Sequence, residues 1–284
     1  MNTLTYKDYT GSVNHSEKDN VFFGKIEGIN ALVNYEGDNI DELTNAFHEA
    51  VDDYLNYCKN APIRNAAMIG FFENYPIKRV FRINDSLLLT GESDQLWAYI
   101  SSESKDELKE LLQKSVIGTK YFACLEDWMI PLVTKDAEVD WTLSTMHYIL
   151  PETCSVEPPV RNVIELNTTF VDYIYYHSDY QAFISKDYIA DRIKRGLSSG
   201  IIDDGKLVAW AITHDDNSLG FLHVIPEYRR NGYGTDVVKS LIIKKRKEHK
   251  SIYANIEPTN NNSLNLANRL GFIFDRNISW IKLK

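Results

Sequence analysis

The segment Arg229-Arg230-Asn231-Gly232-Tyr233-Gly234 constrains the fold of this chain more than any other. It stands between a strand-like run, SLGFLHVI, and a stretch in which Val237, Val238, Leu241 and Ile242 form one helical stripe. Two glycines at that junction let the backbone approach a ligand closely. The first N–H groups of the following helix have no partner within it, and the helix dipole adds positive potential. Such a junction is suited to a pyrophosphate. Taken alone, it also fits a plain strand-to-helix turn.

A second element follows about twenty residues later. Asn260-x-x-Ser263-x-x-Leu266-x-x-x-Leu270-Gly271-Phe272 comes after another strand-like run, SIYANIE. Asn260 is placed either to cap a helix or to hydrogen-bond an amide-bearing ligand. Around these elements the pattern predicts a helix (DYIADRIKRGL), strands GIIDD, KLVAWAITH and SLGFLHVI, a helix after Gly234, and a final strand near ISWIKL.

With both motifs in this order, residues 160–284 resemble the GNAT acyltransferase superfamily, which binds acyl-CoA. SLGFLHVIPEYRRNGYG and NRLGF look most like its glycine N-acyltransferase-like branch. That resemblance implies an acetyl-CoA or other acyl-CoA co-substrate and no metal. It assigns Leu222, His223 and Val224 to the strand edge that pairs with pantetheine. It assigns Arg230, Asn231, Gly232, Tyr233, Gly234 and Thr235 to the pyrophosphate, with Arg229 beside them, and Asn260 and Ser263 to the second motif's contacts. Lys244, Lys245, Arg246, Lys247 and Lys250 either reach a ribose phosphate or complement the helix C-terminus. Many relatives carry a Tyr after the leucine of the second motif as proton donor to the thiolate; here that position is Ala267. The reaction also needs a base for the amine. His223 and Glu257 are the leading candidates, and His214 is a third; Tyr188 and Trp210 read as core.

The first 60 residues differ in character. They hold 4 Lys, no Arg and 11 Asp or Glu, −7 of the chain's net −9. Strands are expected at Tyr9–His15, Asn20–Ile26 and Ala31–Glu36, then a helix opened by Asn39 and Glu42 in a capping-box pattern. Its stripe is Ile40, Leu43, Phe47, Val51, Tyr54, Leu55 and Cys58. This stretch resembles the N-terminal domain of HicB-type antitoxins, a partial RNase H-like β-β-β-α unit. The resemblance implies a binder of a small basic HicA-like protein and supplies no catalytic residue. Asp8, Glu17 and Asp19 are a conceivable metal cluster but read better as turn and surface residues.

Prolines at 62, 151, 158 and 159 suggest seams. The expected α+β chain is a HicB-like domain (1–60), an α/β lobe (61–150), read as a degenerate GNAT-like lobe, and a GNAT catalytic domain (151–284). Acidity argues against direct nucleic-acid binding. No apolar run approaches about 18 residues, the start MNTLTYKDYTG lacks a charged-then-apolar leader, and three scattered cysteines suggest a reducing cytoplasm. The function expected is acyl transfer to a primary amine, away from membranes, with a small amine or amino acid as acceptor. The alternative is an antitoxin-like binder with an inactive acyltransferase scaffold.

Overall fold

A computed structural model describes residues 3–7, 9–18, 20–27, 34–60, 64–178, 181 and 184–284, with residues 9, 27 and 52–60 described by their backbone. The chain divides into two compact units: Met1–Glu92 with Leu96–Gly118, and Ser93–Gln95 with Thr119–Lys284.

The first unit opens with strands β1 (Thr3–Tyr6), β2 (Tyr9–Ser12), β3 (Asn14–Ser16), β4 (Val21–Glu27) and β5 (Asn34–Gly37), then helix α1 (Ile40–Asn60). β2 and β3 both pair antiparallel with β4, which pairs on its other side with β5. The expected strand at 9–15 is thus broken at Val13, and β1 is an additional strand paired to β2. The capping box at the start of α1 forms: Asn39 Oδ1 accepts from Glu42 N–H, and Glu42 Oε2 accepts from Asp38 N–H. Leu43, Phe47 and Val51 are buried against Ile26 and Tyr35. Ile40 departs from the expected stripe, since it is 46% exposed in the first turn. Tyr54, Leu55 and Cys58 have no described side chain; Asp8, Asp19, Ala31 and Pro62 lie outside the described residues.

The same unit continues through α2 (Ala66–Asn74), β6 (Ile77–Ile83), β7 (Ser86–Glu92), β8 (Leu96–Ser101) and α3 (Lys105–Lys114). β6, β7 and β8 form an antiparallel meander. Ser104 caps α3 by accepting from Glu107 N–H.

The second unit holds β9 (Tyr121–Glu126), α4 (Ile130–Val133), β10 (Val139–Ile149), α5 (Val171–Tyr176), α6 (Lys186–Arg195), β11 (Ser198–Asp203), β12 (Lys206–Thr213), β13 (Leu219–Val224), α7 (Tyr233–Lys247), β14 (Tyr253–Ile256), α8 (Asn261–Arg269) and β15 (Ile273–Leu283). Its strands run in the order β11-β12-β13-β14-β10-β15-β9. The two units part between Gly118 and Thr119. The physical reason is β10, which pairs with β15 along its length and with β14 at its end. Those pairings tie residues before Pro151 into the C-terminal sheet.

Helices cover both faces of this sheet. Val237, Val238, Leu241 and Ile242 of α7 and Leu266, Ala267 and Leu270 of α8 bury against Ala209, Ala211 and Leu219. On the other face Ile174 of α5 and Ile189 and Ile193 of α6 pack on Leu207, Trp210 and Ile212. The sequence-predicted order of strands and helices from α6 onward is the order observed.

Candidate functional site

β13 parts from β14 almost as soon as it begins. The two are parallel and share one register pair, Leu219↔Ala254. On its other side β13 continues antiparallel to β12, with Trp210↔His223 and Ala209↔Val224. A shift in register between Trp210 and Ile212 and a positive φ of 48° at Phe221 mark a β-bulge. The bulge puts Leu219, Leu222 and Val224 all in the core beneath α7, while Phe221 joins the opposite cluster.

The gap beyond Leu219 is edged by backbone. Ile225 N–H donates to Val208 O at 2.9 Å. By the alternation of strand hydrogen bonding, the main-chain groups of Leu222 and Val224 point away from β12, into the gap. His223 therefore directs its main chain to β12, unlike its neighbours in the expected pantetheine edge. Arg229 Nε donates to Val224 O at 2.9 Å, so this arginine ties the strand end to the loop.

The glycine loop closes the same end. Gly232 has φ +86° and caps α7 without a side-chain bond. Arg230 is also left-handed, with φ 62°. Among the described residues, no acceptor takes the N–H groups of residues 230–235. A row of free donors at a helix N-terminus favours an anion. Arg161, from the linker before α5, reaches over this end. Its Nη1 pairs with Asp236 at 2.7 Å, its Nη2 donates to Asn231 O at 2.5 Å, and its Cζ lies 4.1 Å from the Tyr233 ring centroid. Tyr233 donates to Asp203 Oδ2 at 2.5 Å. Nothing in the sequence pattern singled out Arg161, because it lies 70 residues from the loop.

The basic end of α7 is largely occupied by structural bonds. Lys244 Nζ donates to Ser198 O, buried Lys245 Nζ to Asn217 O, and Arg246 Nη2 to Cys154 O. Asn260 Oδ1 accepts from Ser263 N–H at 3.1 Å, so this pair caps α8. Ala267 is buried in the core below α7.

The face opposite α7 carries the polar groups. His223 stacks on Trp210 at 4.6 Å between centroids, and Tyr173 and His177 adjoin them. Glu257 follows directly after β14 and its carbonyl accepts from Asn260 N–H. Asn255 of β14 accepts from His147 Nδ1 at 2.7 Å and donates to Asp216 Oδ2 at 3.2 Å. Burial holds the His147 imidazole below its ordinary range. Nearby, Asp215 accepts from Ser93 Oγ at 2.6 Å and from Tyr188 Oη at 3.1 Å. Burial, reinforced by Asp216, pushes Asp215 up to about 6. No group of three or more His, Cys, Asp or Glu suited to a metal occurs among the described residues, and none of their helices is long and apolar enough to cross a membrane.

The fold has counterparts. Residues 195–281 match the family model described as FR47-like protein. A Drosophila protein solved in a structural genomics programme is 20% identical, with 70% of this chain and 74% of that one covered and a TM-score of 0.61. A GCN5-related N-acetyltransferase from Kribbella flavida is 12% identical over 79% of this chain and 98% of its own, at TM-score 0.53. A GCN5-related N-acetyltransferase-like protein from Streptococcus suis is 12% identical over 83% and 99%, at 0.51. No curated protein sequence matches the chain. The fold is that of the GNAT N-acetyltransferases.

Proposed function

We propose that this protein is an acyl-CoA-dependent N-acyltransferase that uses acetyl-CoA and a primary amine. The observation that carries the reading is the gap between β13 and β14, edged by Leu222 and Val224 and ending at the free N–H groups of residues 230–235. A pantetheine arm would pair with that edge as a strand does, and the pyrophosphate would sit on the loop. Acetyl-CoA supplies the activated acyl group. The chain's own part is to hold amine and thioester together, polarise the thioester carbonyl with main-chain donors, and take a proton from the amine. His223 and Glu257 are the sequence's candidates for that last role.

The finer features of the reading extend the same proposal. The strand-and-loop segments around Arg229–Gly234 tilt the acceptor towards a small amine or amino acid, in the manner of the glycine N-acyltransferase-like branch. Residues 1–60, with their charge of −7, would act as a HicB-like module for a small basic HicA-like partner. A cytoplasmic location suits both activities. Ala267 favours a second reading, an antitoxin-like binder with a weak or inactive acyltransferase scaffold, because it offers no hydroxyl to the thiolate. A thiol pKa of about 8.5 makes the thiolate a tolerable leaving group, so the enzyme reading survives this loss.

Free-thiol release from acetyl-CoA over a panel of amines, with Gly232→Glu as control, tests the enzyme. Turnover abolished by that substitution supports it. No turnover, together with no thermal stabilisation by millimolar acetyl-CoA, refutes it in favour of the binder.

A further inference from the structure

The point where β13 leaves β14 has no side chain of its own on the face opposite α7. Gly220 stands there, directly after the last paired residue. Its place is filled by the ring of His214: a Cβ on Gly220 would lie 2.1 Å from both Cδ2 and Nε2 of that imidazole. Any larger residue at 220 would expel the ring, so the glycine brings Nε2 against the backbone where the strands divide.

The rest of the ring is held by a chain of hydrogen bonds. His214 Nδ1 lies 3.4 Å from Tyr188 Oη. Tyr188 has one hydroxyl proton, and Asp215 Oδ1 stands 3.1 Å away to accept it. Ser93 donates to the other carboxylate oxygen at 2.6 Å. With its proton given to Asp215, Tyr188 Oη accepts from His214 Nδ1–H. That assignment leaves the Nε2 lone pair as the acceptor, and among the described residues the ring's hydrogen bond is made through Nδ1, with none to Nε2. Phe221, the bulge residue, flanks the ring at 4.7 Å between centroids.

We propose that His214 is the general base for the acceptor amine, with Tyr188, Asp215 and Ser93 as positioning residues. This rests on the acyltransferase reading and deepens it. His214 Nε2 takes a proton from the ammonium form of the acceptor, giving a neutral amine and an imidazolium. The amine nitrogen's lone pair forms the C–N bond to the thioester carbon; the tetrahedral adduct collapses, the C–S bond breaks and its pair leaves on sulfur. The proton still surplus on nitrogen passes to the thiolate, giving the amide and free CoA thiol. The imidazolium then returns its proton to solvent.

The charged groups around the ring agree with this role. Burial lowers the His214 pKa, Arg192 of α6 lowers it further, and Asp216 of the β12–β13 turn opposes them. The imidazole is thus neutral and basic at neutral pH. Asp215 titrates near 6 under burial and the neighbouring Asp216 and Asp94, with Ser93 and Arg192 acting the other way. Burial holds the Tyr188 hydroxyl protonated.

The test compares His214→Gln and Tyr188→Phe with wild type in the full chain. It reads the pH profile of kcat/KM for the amine, acetyl-CoA affinity by calorimetry, and the His214 titration by NMR. His214→Gln should lose about 100-fold or more in kcat and the acid limb of the profile, with acetyl-CoA affinity within threefold of wild type. Tyr188→Phe should move the NMR titration of His214 and the acid limb together. Near-wild-type turnover with an unchanged acid limb in His214→Gln overturns the proposal while leaving the acyltransferase reading intact. A wild type that does not bind acetyl-CoA overturns both. Should His214→Gln fail to fold, a Tyr188→Phe variant whose NMR titration shifts while the acid limb stays fixed overturns the assignment.

Discussion

The glycine loop yields the most decisive test, a comparison of Gly232→Ala with Gly232→Glu. Gly232 has φ +86°, and a Cβ there would meet Arg161 Nη1 at 3.3 Å. Alanine in the left-handed region costs about 1–2 kcal/mol. If the loop must keep its shape to bind, that strain weakens CoA by about 5- to 30-fold. Glutamate adds the same strain and a negative charge. Two unit charges about 5 Å apart repel by roughly 3 kcal/mol at an effective dielectric of about 20, and by under about 1 kcal/mol in bulk water. Gly232 is exposed, and Arg161 stands close enough to offset part of the new charge, so the lower half of that range applies. The expected result is that Gly232→Glu binds CoA about tenfold more weakly than Gly232→Ala in calorimetric titration. The difference should shrink in 1 M salt, where the screening length is about 3 Å. Equal affinities for the two variants would refute an anion site at this loop, because strain alone would then account for the loss.

Gly220→Ala should lower kcat by about 100-fold by displacing the His214 ring, while acetyl-CoA affinity in calorimetry stays within threefold of wild type. Lys245→Met removes the bond to Asn217 O and the cation held 4.7 Å from the Tyr253 ring centroid; urea unfolding should show a loss of about 1–3 kcal/mol with CoA affinity unchanged. Asp215 has a folded pKa of about 6 against an ordinary 3.8, so the folded state keeps a proton that the unfolded chain releases between those values. Its contribution to stability is therefore present below about pH 4 and lost as pH rises through 6. Asp215→Asn should accordingly raise the urea midpoint relative to wild type at pH 8 and change it little at pH 4.

What the sequence made legible was whatever lies close together along the chain. The glycine loop, the α7 stripe and the Asn260 cap are local patterns, and each occupies its expected element. The capping box of Asn39 and Glu42 is equally local and forms. The extent of the C-terminal unit was hidden because β10 joins it through pairs with residues more than 100 positions away. Proline seams mark where a chain can turn, whereas unit boundaries follow where strands pair.

The polar face opposite α7 was hidden for a second reason, the bulge at Phe221. Strict alternation from Leu219 would put Leu219, Phe221 and His223 on one face. The extra residue reverses this after Gly220: Leu222 and Val224 join Leu219 under α7, while Phe221 and His223 face the other way. That reversal separates a backbone edge left open by β14 from an aromatic and polar face on the other side of the sheet. The same face draws Ser93 to Asp215 across 122 residues of sequence. Neither the left-handed Phe221 nor that distant serine carries a compositional signal, since Phe is an ordinary strand residue and a lone Ser reads as a turn. The turn that holds His214 is similarly mute. His214-Asp215-Asp216-Asn217-Ser218 looks like a solvated hairpin tip, and its side chains do make the turn, with Asp216 Oδ1 accepting from Ser218 N–H at 2.8 Å. Yet Asp216 is buried, and its neighbour His214 fills the space that Gly220 vacates. A tip drawn inward in this way concentrates titratable groups beside Gly220, where the strands divide.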